Sequence, residues 1–324
     1  MSTKHRSGDT PAADLEPEQM GASAKAPIRK EAKRALKAAV KRLQSTRVPE
    51  KGEALRLGVD LGTASIIVMA VDAAGMPVAT ELQTAQVARD GLVVDYIGAV
   101  DITRRLVHRL EERLGVELTT AAIAMPPGVN PAESSAHRHV VEASGLQVSA
   151  VLDEPTAAGT VLGISDGVVV DIGGGTTGLS VFQDQKVVYV ADEPTGGTHV
   201  ALVLMGRYGI SFEQAEAMKT KASKADDVRV AVLPVMEKMA SIVKRHIQGH
   251  QVGKIWLVGG TSELKGIEAV FADTLGIETV KPPHPMMVTP LGIALNSTPM
   301  LSGSLKAARN SAQSAKFHPH RNAS

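Results

Sequence analysis

Val170-Asp171-Ile172-Gly173-Gly174-Gly175-Thr176-Thr177-Gly178 is the stretch on which the reading of this chain turns. An apolar run ends in an aspartate, three glycines follow, and two threonines lead into a second apolar run. Glycine lets the backbone bend sharply and leaves its N–H groups unobstructed, so successive amides can surround phosphate oxygens. Thr176 and Thr177 can add hydroxyl donors, and an aspartate just ahead of the turn can hold Mg²⁺ through retained waters. The same design stands earlier, in Asp60-Leu61-Gly62-Thr63. A third glycine pair, in Val258-Gly259-Gly260-Thr261-Ser262, lies between an expected strand and helix, where backbone can approach a nucleoside closely. One Asp-x-Gly turn is more often than not an ordinary strand end; three glycine turns in order on repeated strands point to phosphate binding.

Outward from these turns the chain alternates strands and helices. Leu55–Val59, Ser65–Val71 and Pro77–Leu82 read as strands, with Ala73-Ala74-Gly75 as a hairpin turn. Ile102–Leu114 has helical spacing and stops at Gly115; Ala121–Met125 is a strand, Pro131–Ala143 a helix, Val148–Leu152 a strand and Thr156–Leu162 a short helix. A similar unit then begins again. Gly167–Asp171, Leu179–Phe182 and Val187–Ala191 are expected strands, with Gln183-Asp184-Gln185 as the turn. Helices are expected at Thr198–Tyr208, Ser211–Lys219 and Asp227–Ile247, then a strand at Lys254–Val258 and a helix at Ser262–Leu275. This is one α/β unit duplicated, each copy opening with a strand–turn–strand meander.

Composition narrows the function classes. The 324 residues are 44% hydrophobic and 21% charged, with no cysteine, which excludes a disulfide framework, a thiolate metal site and a cysteine nucleophile. No apolar run reaches the ~18–20 residues of a membrane span, and the polar start predicts no secretory signal. A cytoplasmic protein is expected. Four Phe, one Trp and three Tyr argue against a base-stacking nucleic-acid surface. The net charge of +1 hides an asymmetry: residues 1–56 hold 13 basic and 7 acidic residues, and 297–324 hold 4 basic and none acidic. The body, 57–296, holds 18 basic and 27 acidic, or −9. An acidic body with basic ends reads as a domain with appendages.

Together these residues resemble the actin, sugar-kinase and DnaK-type chaperone superfamily of ATPases. Asp60–Thr63 is similar to its first phosphate motif, Asp171–Thr177 to its second and Val258–Ser262 to its adenosine motif. Leu152-Asp153-Glu154-Pro155-Thr156-Ala157-Ala158 and Pro290-Leu291-Gly292-Ile293-Ala294 look like its two interlobe helices. Over nearly the whole of 55–296 the resemblance is closer to the EutJ family, the chaperone-like proteins of bacterial ethanolamine-utilisation operons. Gly58–Thr63, Arg89-Asp90-Gly91, Met125-Pro126-Pro127-Gly128, Val170–Gly178, Ala191-Asp192-Glu193, Glu237-Lys238-Met239-Ala240 and Met287-Val288-Thr289-Pro290 carry it.

The resemblance implies an α/β, duplicated actin-like ATPase fold, with ribonuclease-H-like lobes and a nucleotide cleft between them. Lobe I would span 55–165, completed by 288–296, and lobe II 166–287; an N-terminal extension (1–54) and a flexible basic tail (297–324) would flank them. ATP or ADP with Mg²⁺ would lie in the cleft. Gly62, Thr63, Gly173, Gly174, Gly175 and Thr176 would hold phosphates. Asp60 and Asp171 would organise the metal, and Glu154 or Asp171 would orient the attacking water. Gly196 and Gly197 correspond to the ribose side, Gly259 and Gly260 to the adenosine side, and Glu237 and Lys238 to the adenine edge. The implied role is an ATP-binding chaperone for ethanolamine-utilisation enzymes or microcompartment components, cytoplasmic or compartment-associated, with at most weak ATPase activity. Two alternatives share the fold: a small-molecule kinase, and an actin-like filament or scaffold protein.

The sequence also departs from DnaK-type chaperones. No lysine stands between Lys51 and Lys186, so the cation such proteins bring from lobe I is missing unless Arg89 or a residue outside the body replaces it. Gly178 replaces an aspartate, Thr198-His199 replace two acids, and Glu263 replaces an arginine. His246 and His250 are spaced as a metal pair but read as surface histidines at a helix end. His137-Arg138-His139 reads as an exposed helix face. Residues 1–24 read as disordered. Between Pro27 and Ser45, Ile28, Ala32, Ala35, Leu36, Ala39, Val40 and Leu43 recur at helical spacing among basic residues. That segment reads first as a solvated helix on a tether, next as a partner-docking helix, and last as a membrane or nucleic-acid binder.

Overall fold

Two sheets of matching design organise the chain, and each glycine turn sits at a strand end facing the other sheet. The computed structural model describes residues 28–89, 92–127 and 131–304, with the side chains of 131–134 and 303–304 left aside. The expected disorder of 1–24 and the motif residues Asp90, Gly91 and Gly128 lie outside the described residues. After helix α1 (Lys30–Lys41), strands β1 (Ala54–Leu61), β2 (Ser65–Asp72) and β3 (Pro77–Thr84) form the first meander. The short pair β4 (Ala88–Arg89) and β5 (Leu92–Val93) leads to α2 (Tyr96–Leu114), β6 (Val116–Glu117), β7 (Thr120–Met125), α3 (Pro131–Ala143), β8 (Gln147–Asp153) and α4 (Glu154–Leu162). The second copy runs β9 (Gly167–Ile172), β10 (Thr177–Gln183), β11 (Lys186–Glu193), α5 (Gly197–Tyr208), α6 (Phe212–Thr220), α7 (Ala225–His246), β12 (Lys254–Val258), α8 (Ile267–Leu275) and β13 (Glu278–Val280). Helix α9 (Val288–Leu295) and strands β14 (Met300–Leu301) and β15 (Gly303–Ser304) follow.

The strand orders are β3-β2-β1-β7-β8 and β11-β10-β9-β12-β13. In each sheet the first three strands are antiparallel and the last two join in parallel, which is the duplication expected from the sequence. Side-chain alternation explains why both faces of these strands are apolar. Val168, Val170 and Ile172 of β9 face one core with α5, α7 and α8, whereas Val169 faces a second core between the sheets. In β2, Ile66, Val68 and Ala70 face the first sheet's own core, and Met69 and Val71 face the same central one. The second hairpin turns through Asp184 and Gln185, both at positive φ (49° and 63°), a backbone twist that suits a two-residue hairpin. Helix α2 begins six residues earlier than Ile102 because the Asp95 carboxylate accepts from the Gly98 N–H, capping a first turn that opens with the exposed Tyr96 and Ile97.

Helices α4 and α9 cross between the sheets, and glycine makes the crossing possible. A Cβ at Gly292 would lie 1.9 Å from the Ala157 carbonyl oxygen, and one at Gly58 would lie 2.5 Å from the Ala294 nitrogen.

One expectation for the appendages is corrected. Helix α1 is not a solvated helix on a tether: Ala32, Ala35, Leu36 and Ala39 are buried in the central core with Met69, Leu162, Trp256, Leu291 and Ala294. Alanine-rich stripes suit this seat, since small side chains let a helix lie close on its neighbours. Its following turn is fastened to the first sheet by Arg113, which donates to the carbonyls of Arg42, Ser45 and Thr80, and by Arg47, which pairs with Glu53 and Asp72. The tail expected from 297 starts with β14 paired to β1 and β15 paired to β6, and its residues 305–324 lie outside the described residues.

Candidate functional site

The three glycine turns converge on one cavity of about 590 Å³, within the size range of small-molecule sites. Asp60, Gly62 and Thr63 line it from the first sheet; Asp171, Gly173, Gly174, Gly175 and Thr176 line it from the second; Gly259, Gly260 and Thr261 close one side. The first two turns abut. A Cβ on Gly174 would stand 2.9 Å from the Ala64 side chain, so only glycine allows the two halves to approach this closely.

The second turn is braced from behind. The Gly173 carbonyl accepts from the Gly197 N–H (2.9 Å) and the Thr261 hydroxyl (2.7 Å), and the Gly174 carbonyl accepts from the Thr198 N–H (2.8 Å) and hydroxyl (2.9 Å). The amides of Gly174 and Gly175 have no acceptor among the described residues, so they remain as donors. Gly196 and Gly197 do not line the cavity; they let the N-terminus of α5 press against the turn, where a Cβ on Gly196 would meet the Gly173 carbonyl oxygen at 2.8 Å. Thr198, one of the two residues that replace acids of the chaperone pattern, is part of this brace.

Three carboxylates gather at the floor. Asp171 is buried, while Asp60 and Glu154 are half-buried. Burial and the Asp171 charge push the Asp60 carboxyl up to about 7. Burial lifts Asp171 to about 6, opposed by the hydroxyl of Thr289, which donates to its Oδ2. Glu154 is raised well above the usual carboxylate range by burial and then by Asp171, Asp60, Asp192 and Asp153. Glu154 is also the first residue of α4, whose cap is Asp153, accepting from the Thr156 N–H. Glu154 therefore sits at a helix N-terminus and also lines the cavity. Asp192 stands across the strand pair from Gly178, where a Cβ would lie 3.3 Å from its Oδ1. Gly178 thus leaves room for a carboxylate supplied by the neighbouring strand.

Other assignments move. Glu237 and Lys238 lie on the exposed face of α7 and do not line the cavity; the buried face of that turn is Met236 and Met239. Glu216 and Lys219 of α6 line it instead, with the Lys219 ammonium donating to the Gly197 carbonyl (3.1 Å) and Glu216 (2.6 Å). The readable signal was a capping box at Ser211 and Gln214 followed by Glu and Lys on one face. Arg89 is exposed and does not line the cavity. His137, expected on an exposed face, is 2% exposed and lines the cavity near Pro126. His246 hydrogen-bonds Tyr189 and Glu193, and no group of three or more His, Cys, Asp or Glu side chains among the described residues is arranged to hold a metal ion by itself. No helix among them is long and apolar enough to cross a membrane.

Comparison with known proteins bears on the family and the fold. The chain is 46% identical over 241 residues to the ethanolamine utilization protein EutJ of Salmonella typhimurium, covering 74% of this chain and 85% of that one. It superposes on the crystal structure of EutJ from Carboxydothermus hydrogenoformans with a TM-score of 0.77 at 46% identity, covering 82% of this chain and 98% of that one. MreB5 of Spiroplasma citri bound to AMPPNP matches with a TM-score of 0.61 at 17% identity, covering 82% of this chain and all of that one, a likeness of fold alone. A family model described as type IV pilus assembly protein PilM matches residues 138–290. These neighbours bear out the duplicated actin-like fold.

Proposed function

The chain belongs to the EutJ family, and from that premise we propose that it binds a magnesium–nucleoside triphosphate or diphosphate between its two halves. In this reading it acts as a chaperone-like factor on ethanolamine-utilisation enzymes or their compartment, with little unaided hydrolysis. The cavity carries the proposal: two glycine turns, each preceded by an aspartate, face each other across it, and the second keeps two amides uncommitted. Gly62, Thr63, Gly174, Gly175 and Thr176 are the phosphate side. Glu216, Lys219 and the 259–264 segment are the nucleoside side. Hard carboxylate oxygens from Asp60 and Asp171 suit Mg²⁺, which keeps its waters and most of its ligands on the phosphates. That the described residues make no direct cage of three ligands accords with an ion delivered with the nucleotide.

Weak turnover follows from charge. Phosphoryl transfer is helped chiefly by positioned cations. Here the cavity-lining lysines, Lys219, Lys221 and Lys265, all come from the second half, and the lobe-I side is acidic. Isothermal titration with Mg-ATP and Mg-ADP should show saturable binding that Asp171→Ala abolishes. No binding to the wild type, or steady hydrolysis at chaperone-like rates, would overturn this reading. Lys219→Met should weaken ATP and ADP alike by about tenfold, the loss of one charge-assisted contact; unchanged affinity would remove α6 from the site.

A further inference from the structure

Helix α1 has two faces, and the fold uses one of them. The inner face is buried against the interlobe helices and both sheets. On the outer face, Lys30, Lys33, Arg34, Lys37 and Lys41 are all exposed. At about 100° per residue these five cations fall within an arc of about 100°, along about 17 Å of helix. No ion pair joins any of them to another described residue. On other helices several exposed cations are paired within single turns: Arg104 with Asp101, His108 with Glu112, Arg138 with Glu142 and Lys224 with Asp227. Like charges at i,i+3 and i,i+4 repel and weaken a helix, so this stripe is a cost that burial of the inner face offsets.

We propose that the outer face of α1 is a docking surface for a short acidic segment of another polypeptide. Charge complementarity gives the sign of the partner, and the dimensions limit its class. The stripe is one helix wide, on a body that carries 18 basic and 27 acidic residues over 57–296. A stiff nucleic-acid duplex or a flat anionic membrane extends well beyond 17 Å and meets that acidic surface; a short acidic peptide does not. Membrane insertion also needs an exposed apolar face, and the apolar face of α1 is already covered. A peptide held here lies against the helix that shares the central core with α4 and α9.

The test uses the full chain without nucleotide, so its outcome is independent of the nucleotide reading. A fluorescein-labelled 12-residue oligoglutamate is titrated by anisotropy at 50 mM and 200 mM salt. Lys33→Glu/Arg34→Glu/Lys37→Glu is compared with a control of equal charge change, Arg105→Glu/Lys186→Glu/Arg207→Glu, at exposed positions elsewhere. Circular dichroism verifies that both are folded. Saturable binding weakened at least tenfold by the α1 reversal and less than twofold by the control supports the proposal. Equal weakening by both reversals would reduce it to net charge, and absent binding at 50 mM salt would end it. Tighter binding of a 16-base-pair duplex or of vesicles containing phosphatidylserine would assign the face to another class of partner. Wild-type self-association abolished by the α1 reversal would assign it to a second copy of this chain.

Discussion

Asp60→Asn is expected to stabilise the nucleotide-free protein at pH 8 while abolishing Mg-nucleotide binding. The carboxyl of Asp60 is raised from 3.8 to about 7 by burial and by Asp171 across the cleft. A raised acid is penalised when charged. Below about pH 4 it is protonated in both the folded and the unfolded chain and costs nothing. Between about pH 4 and 7 the unfolded chain has released the proton and the folded chain holds it, so stability falls as pH rises; above that the loss is constant. Converted directly, the shift is worth about 4 kcal/mol. Sharing of charge with Asp171 and partial exposure reduce this to about 2 kcal/mol, or about 4 °C in Tm. Thermal unfolding from pH 5 to 8 checks it. The wild type should lose Tm over this range, and the variant should lose less and lie higher at pH 8. Mg-ATP should raise Tm in the wild type only. A variant that melts lower at pH 8 would show that the Asp60 charge is already compensated within the protein.

That expectation rests on residues plain in the sequence, since an aspartate before a glycine turn needs no tertiary knowledge to be noticed. The meander repeat and the α4 and α9 segments were legible for the same reason: their signals are local. What was not legible depends on what covers a face. The α1 stripe announced a helix, but the apolar spacing of Ala32, Leu36 and Ala39 is silent on whether the cover is this chain or a partner. His137 looked solvated beside Arg138 and His139, yet it shares the i,i+3,i+4 face of Val140 and Val141, which are buried. Glu237 and Lys238 were assigned through resemblance. The neighbouring Met236 and Met239 occupy the inward face of α7, which turns those two outward.

Gly292→Ala should be the most damaging single methyl group in the fold. Its Cβ would stand 1.9 Å from the Ala157 carbonyl oxygen and 2.4 Å from its carbon, which are backbone atoms of α4. No side chain can rotate away, so the two helices must separate, and the central core that both share with α1 must open with them. Overpacking against flexible neighbours costs about 1–3 kcal/mol; against backbone the expected loss is at least about 3 kcal/mol, lowering Tm by about 6 °C or more. Gly206→Ala is the control. It lies inside α5 with nothing within 4 Å of the new methyl, so it should gain about 0.5–1 kcal/mol from helix propensity. The same substitution is thus predicted to have opposite signs at two helical glycines. The loss at Gly292 should also reach the cavity. Ala157 follows Glu154 by three residues on α4, and Gly292 follows Thr289, which donates to Asp171, by three on α9. Separation of the helices one turn from both groups moves Glu154 and the Asp171 clamp together, so nucleotide affinity should fall at temperatures where the variant is still folded. Retained affinity with a lowered Tm would mean that the helices part elsewhere and that the crossing supports the fold without setting the site.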